Sequence, residues 1–177
     1  MRADTAGMGP TRQVLVRVAT EGDHEALLKV LGRVYGANSD YPPRSDTDGS
    51  GASLEAWLFA GKVLVRLVAT VNDDPVGHVL LHVPGQYLTG RYQALFLNPA
   101  VAWIEVGKLF VDPLTPGLGV GRHLLSAARS YITVQGGRLV LCVVETSEQA
   151  YRLYVREGLV VIGEFSGVHG RNIVMTD

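Results

Sequence analysis

The sequence predicts an α/β domain built on a mixed sheet, and three observations carry that reading. Two apolar segments, KVLVRLVATV and PVGHVLLHV, flank the turn sequence NDDP, as the arms of an antiparallel hairpin would. Further along, a strand pattern at 103–111, an amphipathic helical pattern and the apolar run RLVLCVVE follow one another. Buried strand, helix, buried strand is the order of a parallel crossover. Finally, no repeat or linker composition divides the 177 residues, and a single domain of ~150 residues already hides about two-thirds of its unfolded surface.

The elements follow in order. QVLVRVAT (13–20) alternates valines as a strand does, and Thr20 is placed to cap a first helix with Asp23 in its first turn. Leu27, Leu28, Leu31, Val34 and Tyr35 recur at three and four along that helix, which should end near Gly36. ANSDYPPRSDTDGSGA reads as an exposed loop bearing Asp40, Asp46 and Asp48, and SLEAWLFAG as a second helix. After the hairpin comes an irregular insertion over 84–102, then the strand WIEVGKLFV. GVGRHLLSAARSYITV carries Val120, Leu124, Ala128, Tyr131 and Ile132 along one helical stripe. RLVLCVVE is a strand covered on both faces, SEQAYRLYVREG a helix ending at Gly158, and LVVIGEF with RNIVMT two strands joined by SGVHG. Residues 1–12 are expected to be a flexible tail and 13–177 the domain.

Charge and cysteine content exclude several classes. Sixteen basic residues against seventeen acidic ones leave a net charge of -1, which draws the chain neither to nucleic acid nor to anionic lipid. A lone cysteine forms no internal disulfide, no run reaches the ~20 apolar residues of a membrane span, and the leader MRADTAGMGPTRQ has no apolar signal core. A soluble, cytoplasmic protein is expected. His78 and His82 share a strand face without a third ligand, so no metal site is expected, and Cys142 within LVLCVV reads as a small buried hydrophobe.

The chemistry concentrates in GKLFVDPLTPGLGVGRHLL. Three glycines open a helix there, where unpaired N–H groups and the positive end of the helix dipole form an anion site. Side chains at Gly117, Gly119 or Gly121 would enter the space a phosphate needs or forbid the required backbone angles. With no Lys or Arg between Asp112 and Gly121, a pyrophosphate would be met mainly by main chain. A nucleotide triphosphatase loop would need Gly-Lys-Ser/Thr, and a dinucleotide fingerprint G-x-G-x-x-G; this loop has neither. The plain alternative is a tight turn that binds nothing.

LFVDPLTPGLGVGRHLL closely resembles the signature of the GNAT superfamily of acyl-CoA-dependent N-acyltransferases, an apolar strand followed by Q/R-x-x-G-x-G/A at a helix start. SEQAYRLYVREGL is similar to a second family motif at Ala150, Leu153, Tyr154 and Gly158. Pro116, Ser147 and Leu159 stand where the family usually has Gln/Arg, Asn and Phe. The resemblance covers about residues 13–177 and implies a mostly antiparallel sheet of six to seven strands flanked by about four helices. It further implies that acetyl-CoA is the donor. Backbone at Phe110 and Val111 would meet the acetyl and pantetheine portion, Gly117, Leu118, Gly119, Val120, Gly121 and Arg122 would cradle the pyrophosphate, and Ser147 would lie near the pantetheine.

Direct attack of an amine on a thioester needs a base and then a donor for the departing thiolate. Glu105, the only acid in WIEVGKLFV, stands where many family members carry a strand carboxylate, and Tyr154 matches the family tyrosine, whose ordinary pKa of about 10 suits a donor. The plain alternatives are a solvated strand residue and a core aromatic. The expectation is an N-acetyltransferase acting on a primary amine, of a small molecule or a protein, in a ternary complex. A homodimer is a reasonable assembly. Two other classes stay open: a catalytically silent acyl-CoA-binding sensor, and an interaction domain using 84–102. The acidic loop is expected to border the acceptor groove and select cationic amines.

Overall fold

The computed structural model describes residues 12–37, 41–85, 98 and 100–177. The tail up to residue 11, Asp40 and most of the 84–102 insertion lie outside the described residues. Seven strands, β1 (Val14–Val18), β2 (Val63–Val71), β3 (Asp74–His82), β4 (Trp103–Val111), β5 (Arg138–Val144), β6 (Val160–Gly167) and β7 (Gly170–Thr176), form one sheet in the order β1-β2-β3-β4-β5-β7-β6. Every neighbouring pair is antiparallel except β4 with β5. Four helices complete the described fold: α1 (His24–Ala37), α2 (Gly51–Phe59), α3 (Val120–Val134) and α4 (Glu148–Arg156). No described helix is long and apolar enough to cross a membrane.

The β2–β3 turn is tighter than NDDP suggested. Asn72 and Asp73 both adopt left-handed angles, φ 52° and 67°, the geometry that matches strand twist in a two-residue hairpin, while Asp74 and Pro75 already belong to β3. Ahead of α1, Asp23 accepts from the Thr20 N–H and hydroxyl and takes both guanidinium arms of Arg17 at 2.7 Å, tying the helix start to β1.

Helices cover both faces of the sheet. α1 and α2 bury Leu27, Leu31, Leu54 and Leu58 against Val68 and Phe110. On the opposite face, Val120, Leu124, Ala128 and Ile132 of the stripe foreseen for α3, joined by Leu125, pack against Leu67, Val79, Leu81, Leu139 and Leu141, with Tyr131 only partly buried beside them and Tyr154 of α4 in the same cluster. Each fully buried leucine contributes about 1.5–3 kcal/mol of transfer free energy.

Two irregularities of β4 shape the middle of the sheet. Across β3, the register slips by one residue between His78/Phe110 and Leu80/Gly107, so β4 bulges at Lys108, whose φ is 48°. The bulge sends the Lys108 ammonium to the end of α2, where it donates to the carbonyls of Trp57 at 2.6 Å and Ala60 at 2.8 Å. A cation there complements the negative end of the helix. Burial lowers its pKa to about 8.

Candidate functional site

Beyond the bulge, β4 and β5 part company. They pair only at Trp103/Arg138, Ile104/Leu139 and Glu105/Val140, although β4 continues to Val111 and β5 to Val144. Each keeps its other neighbour: Val111 still pairs with Gly77 of β3, and Val144 with Asn172 of β7. The sheet therefore opens as a wedge with Glu105 at its vertex and Phe110 and Val111 on one lip. Edge N–H and C=O groups along such a wedge can receive an extended amide-bearing chain as a strand would.

The glycine loop stands at the mouth of this wedge. Asp112 anchors it: the carboxylate accepts Arg33 Nε from α1 at 3.0 Å, Arg33 Nη2 on its second oxygen, and the Leu114 N–H at 3.0 Å. Burial pushes the Asp112 carboxyl up, but the guanidinium and the N–H outweigh it and hold it below the usual range. Gly117 (φ 78°) and Gly119 (φ 67°) take left-handed angles that turn the loop into α3, with Gly119 as N-cap. The first α3 bond runs from the His123 N–H to the Gly119 carbonyl, and the N–H groups of residues 117–122 donate to no other described residue.

Gly121 carries a packing role that the sequence did not announce. A Cβ there would meet Leu153 of α4 at 3.0 Å, so this glycine admits close packing of α3 on α4. Arg122 lies exposed on the next position, its Nε 3.6 Å from a Glu157 carboxylate oxygen. Ser147 precedes α4; its carbonyl accepts the Tyr151 N–H, and its hydroxyl makes no cap bond.

On the α1–α2 face, Glu105 forms the floor of a cleft of about 130 Å3, with Cys142, Phe165, Val168, His169 and Asn172 among its walls. The side chain is 16 % exposed, accepts the Gly85 N–H at 2.9 Å, and lies 3.7 Å from His82 Nδ1. Burial raises the Glu105 pKa, opposed by His82 and the Gly85 N–H. Cys142 is thus part of a cleft wall and not simply core, although burial pushes its thiol up to about 12. At the rim, His169 of the β6–β7 turn bonds Ser45 Oγ at 2.9 Å and sits 3.4 Å from Asp46, joining the hairpin to the α1–α2 loop. Asp48, by contrast, accepts the Ser50 N–H at 2.8 Å within its own loop. That local bond occupies one of the carboxylates expected to select acceptors.

Tyr154 is 7 % exposed, and burial raises its pKa to about 12. Tyr41 and Arg33 carried no sequence signal, and His78 reads from the sequence only as one of two histidines on a strand face. The Tyr41 hydroxyl is buried without a hydrogen-bond partner, its ring edge-on to Trp57 at 5.5 Å, and it lies within electrostatic reach of Tyr154. His78 is fully buried, donates Nδ1–H to the Lys108 carbonyl at 2.9 Å and stacks on Phe110 at 5.1 Å, leaving Nε2 unpartnered. Burial lowers its pKa to about 4. Arg33 reaches Asp112 from 79 positions away in the chain, a pairing no local pattern announces.

The profile described as the Acetyltransferase (GNAT) family matches residues 31–159. No curated protein matches the chain. Similar solved structures include an acetyltransferase of the GNAT family from Streptococcus pneumoniae, at 19 % identity and TM-score 0.66, covering 93 % of this chain and 98 % of that one. Arabidopsis thaliana NAA60, solved with a bisubstrate analogue, is 15 % identical with TM-score 0.67, over 93 % and 97 % of the two chains. The yncA protein of Salmonella typhimurium, solved with its cofactor acetyl-CoA, is 19 % identical with TM-score 0.66, over 93 % and 92 %.

Proposed function

Because the chain belongs to the GNAT family of acetyltransferases, we propose that it moves the acetyl group of acetyl-CoA directly to a primary amine, with both substrates bound together. The observation that carries this reading is the position of Glu105. It closes the vertex of the β4–β5 wedge and also floors the cleft on the α1–α2 face, so one carboxylate meets both sides of a transfer.

Acetyl-CoA supplies an activated acyl carbon with a thiolate leaving group. The wedge and the glycine loop fit it: backbone at Phe110 and Val111 receives the pantetheine end, and the N–H groups of 117–122 receive the pyrophosphate. Ser147 and Arg122 flank the path at the starts of α4 and α3.

Glu105 acts on the acceptor. An amine arrives mostly as ammonium, with a pKa of about 10 in water, and must lose a proton before its lone pair can form the C–N bond. A carboxylate raised by burial draws in the ammonium and is a stronger base than one in water. Tyr154 acts on the leaving group. At about 12 its hydroxyl stays protonated, well above a thiol's ordinary pKa of about 8.5. Its contribution is therefore a hydrogen bond to the developing thiolate, which at that basicity can depart unprotonated and take its proton from water.

Calorimetric titration with acetyl-CoA, followed by thiol release with an amine panel, tests the proposal. Saturable binding, lost in Gly119→Glu, together with amine-dependent release supports it. Binding without release from any amine leaves the acyl-CoA sensor as the better reading.

A further inference from the structure

The cleft above Glu105 carries information about the acceptor. Glu105 is the only carboxylate among its described lining residues, and it sits at the floor. The remaining described walls are poor in polar side chains. Phe165 and Val168 are apolar, and the Cys142 thiol stays neutral because burial holds its pKa high. Asn172 spends its Nδ2–H on the Gly170 carbonyl at 2.9 Å. A second ammonium or a set of hydroxyls entering this space would lose its water, at several kcal/mol for a charge, and the described carboxylate at the rim, Asp46, is already faced by His169 at 3.4 Å.

Size points the same way. The cleft measures about 130 Å3, close to the ~150 Å3 of an apolar cavity that accommodates one benzene molecule. Its wall residue His169 bonds Ser45 and lies 3.4 Å from Asp46, so the β6–β7 turn and the α1–α2 loop meet at the rim. A lysine on the surface of a folded protein would bring its neighbours against this junction.

From the single floor carboxylate, the apolar walls and the bridged rim, we infer that the acceptor is a compact primary monoamine with an apolar body no larger than about one six-membered ring. This rests on the acetyl-transfer reading and narrows it. Polyamines, aminoglycoside-like polyols and protein lysines are thereby disfavoured.

The test compares kcat/KM at saturating acetyl-CoA for benzylamine, cyclohexylamine and n-pentylamine with that for 1,4-diaminobutane, spermidine, kanamycin and a lysine peptide. The apolar monoamines should lead by about a hundredfold or more, the cost of stranding one extra charge in the cleft. Equal or better rates with a polyamine, the aminoglycoside or the peptide would overturn the acceptor class and leave acetyl transfer standing. No turnover with any amine, despite calorimetric binding of acetyl-CoA, would overturn both.

Val168→Asp provides a second arm. Val168 is 74 % exposed at the turn, so the change should not impair folding. A carboxylate at the mouth should improve 1,4-diaminobutane relative to its near-isostere n-pentylamine by about tenfold or more, with unchanged acetyl-CoA affinity. An unmoved ratio would remove the cleft as the acceptor site.

Discussion

Arg33, in the middle of α1, clasps Asp112, the first residue past β4, with its Nε 3.0 Å from one carboxylate oxygen and Nη2 on the other. The pair clamps the glycine loop to the helix on the α1–α2 face, and Asp112 is 5 % exposed. Arg33→Met should cost about 2 kcal/mol, less than the about 3–5 of a fully buried pair because the guanidinium is 39 % exposed. Chemical denaturation measures this. Adding Asp112→Asn should recover part of the loss, since the stranded charge is then gone, and acetyl-CoA affinity should fall in the single variant.

Glu105→Gln keeps the Gly85 contact but removes the base. We expect kcat/KM to fall about 100- to 1,000-fold while calorimetric affinity for acetyl-CoA stays within about twofold. The residual rate should climb with pH as more amine enters neutral. Loss of acetyl-CoA binding in the same variant would instead assign Glu105 a structural part.

The glycine loop separates strain from blockage. Gly119→Ala and Gly119→Glu share the left-handed penalty at φ 67°, about 1–2 kcal/mol. Both should melt lower by similar amounts. Only the glutamate variant should abolish acetyl-CoA binding in calorimetry, because it sets a carboxylate beside the N–H groups of 117–122.

Folding stability should fall on acidification through His78. Its folded pKa, about 4, lies below the ordinary value near 6.5, so between these pH values the unfolded chain binds the extra proton. Stability contributed by the neutral imidazole is complete above about 6.5 and drains away as pH drops toward 4, up to about 3 kcal/mol. Urea melts at pH 7 and pH 4.5 should show this slope, and His78→Phe should flatten it at the cost of the hydrogen bond to Lys108.

Tyr41→Phe removes a buried hydroxyl that has no partner. Deleting such a group relieves a desolvation penalty, so the ligand-free protein should be unchanged or slightly more stable, within about 1 kcal/mol. A clear loss in thermal unfolding would mean that the hydroxyl is bonded in solution.

Much of this molecule is local and therefore legible in one dimension. The hairpin turn at Asn72–Asp73, the apolar stripe of α3 and the αL glycines that open it each depend on neighbours a few positions away. Such periodicities and backbone preferences act within one element, and the family motifs are spelled in the same short stretches. The six to seven strands, the parallel crossover and the resemblance to the family follow from those residues alone.

Tertiary structure decided the rest, because it brings together groups that no spacing relates. Glu105 in a strand could have faced water; the pairing of β4 with only three residues of β5 puts it at the vertex of a wedge and under a hairpin 60 residues later. Gly121 reads as a phosphate glycine, and the approach of Leu153 from another helix gives it a packing role as well. Tyr154 carries an ordinary phenol until the core closes over it and raises its pKa to about 12. Arg33 with Asp112, and His169 with Ser45, join segments whose distance along the chain hides them from any pattern. Burial and long-range contact are properties of the folded chain, and the reactivity of this site is made of both.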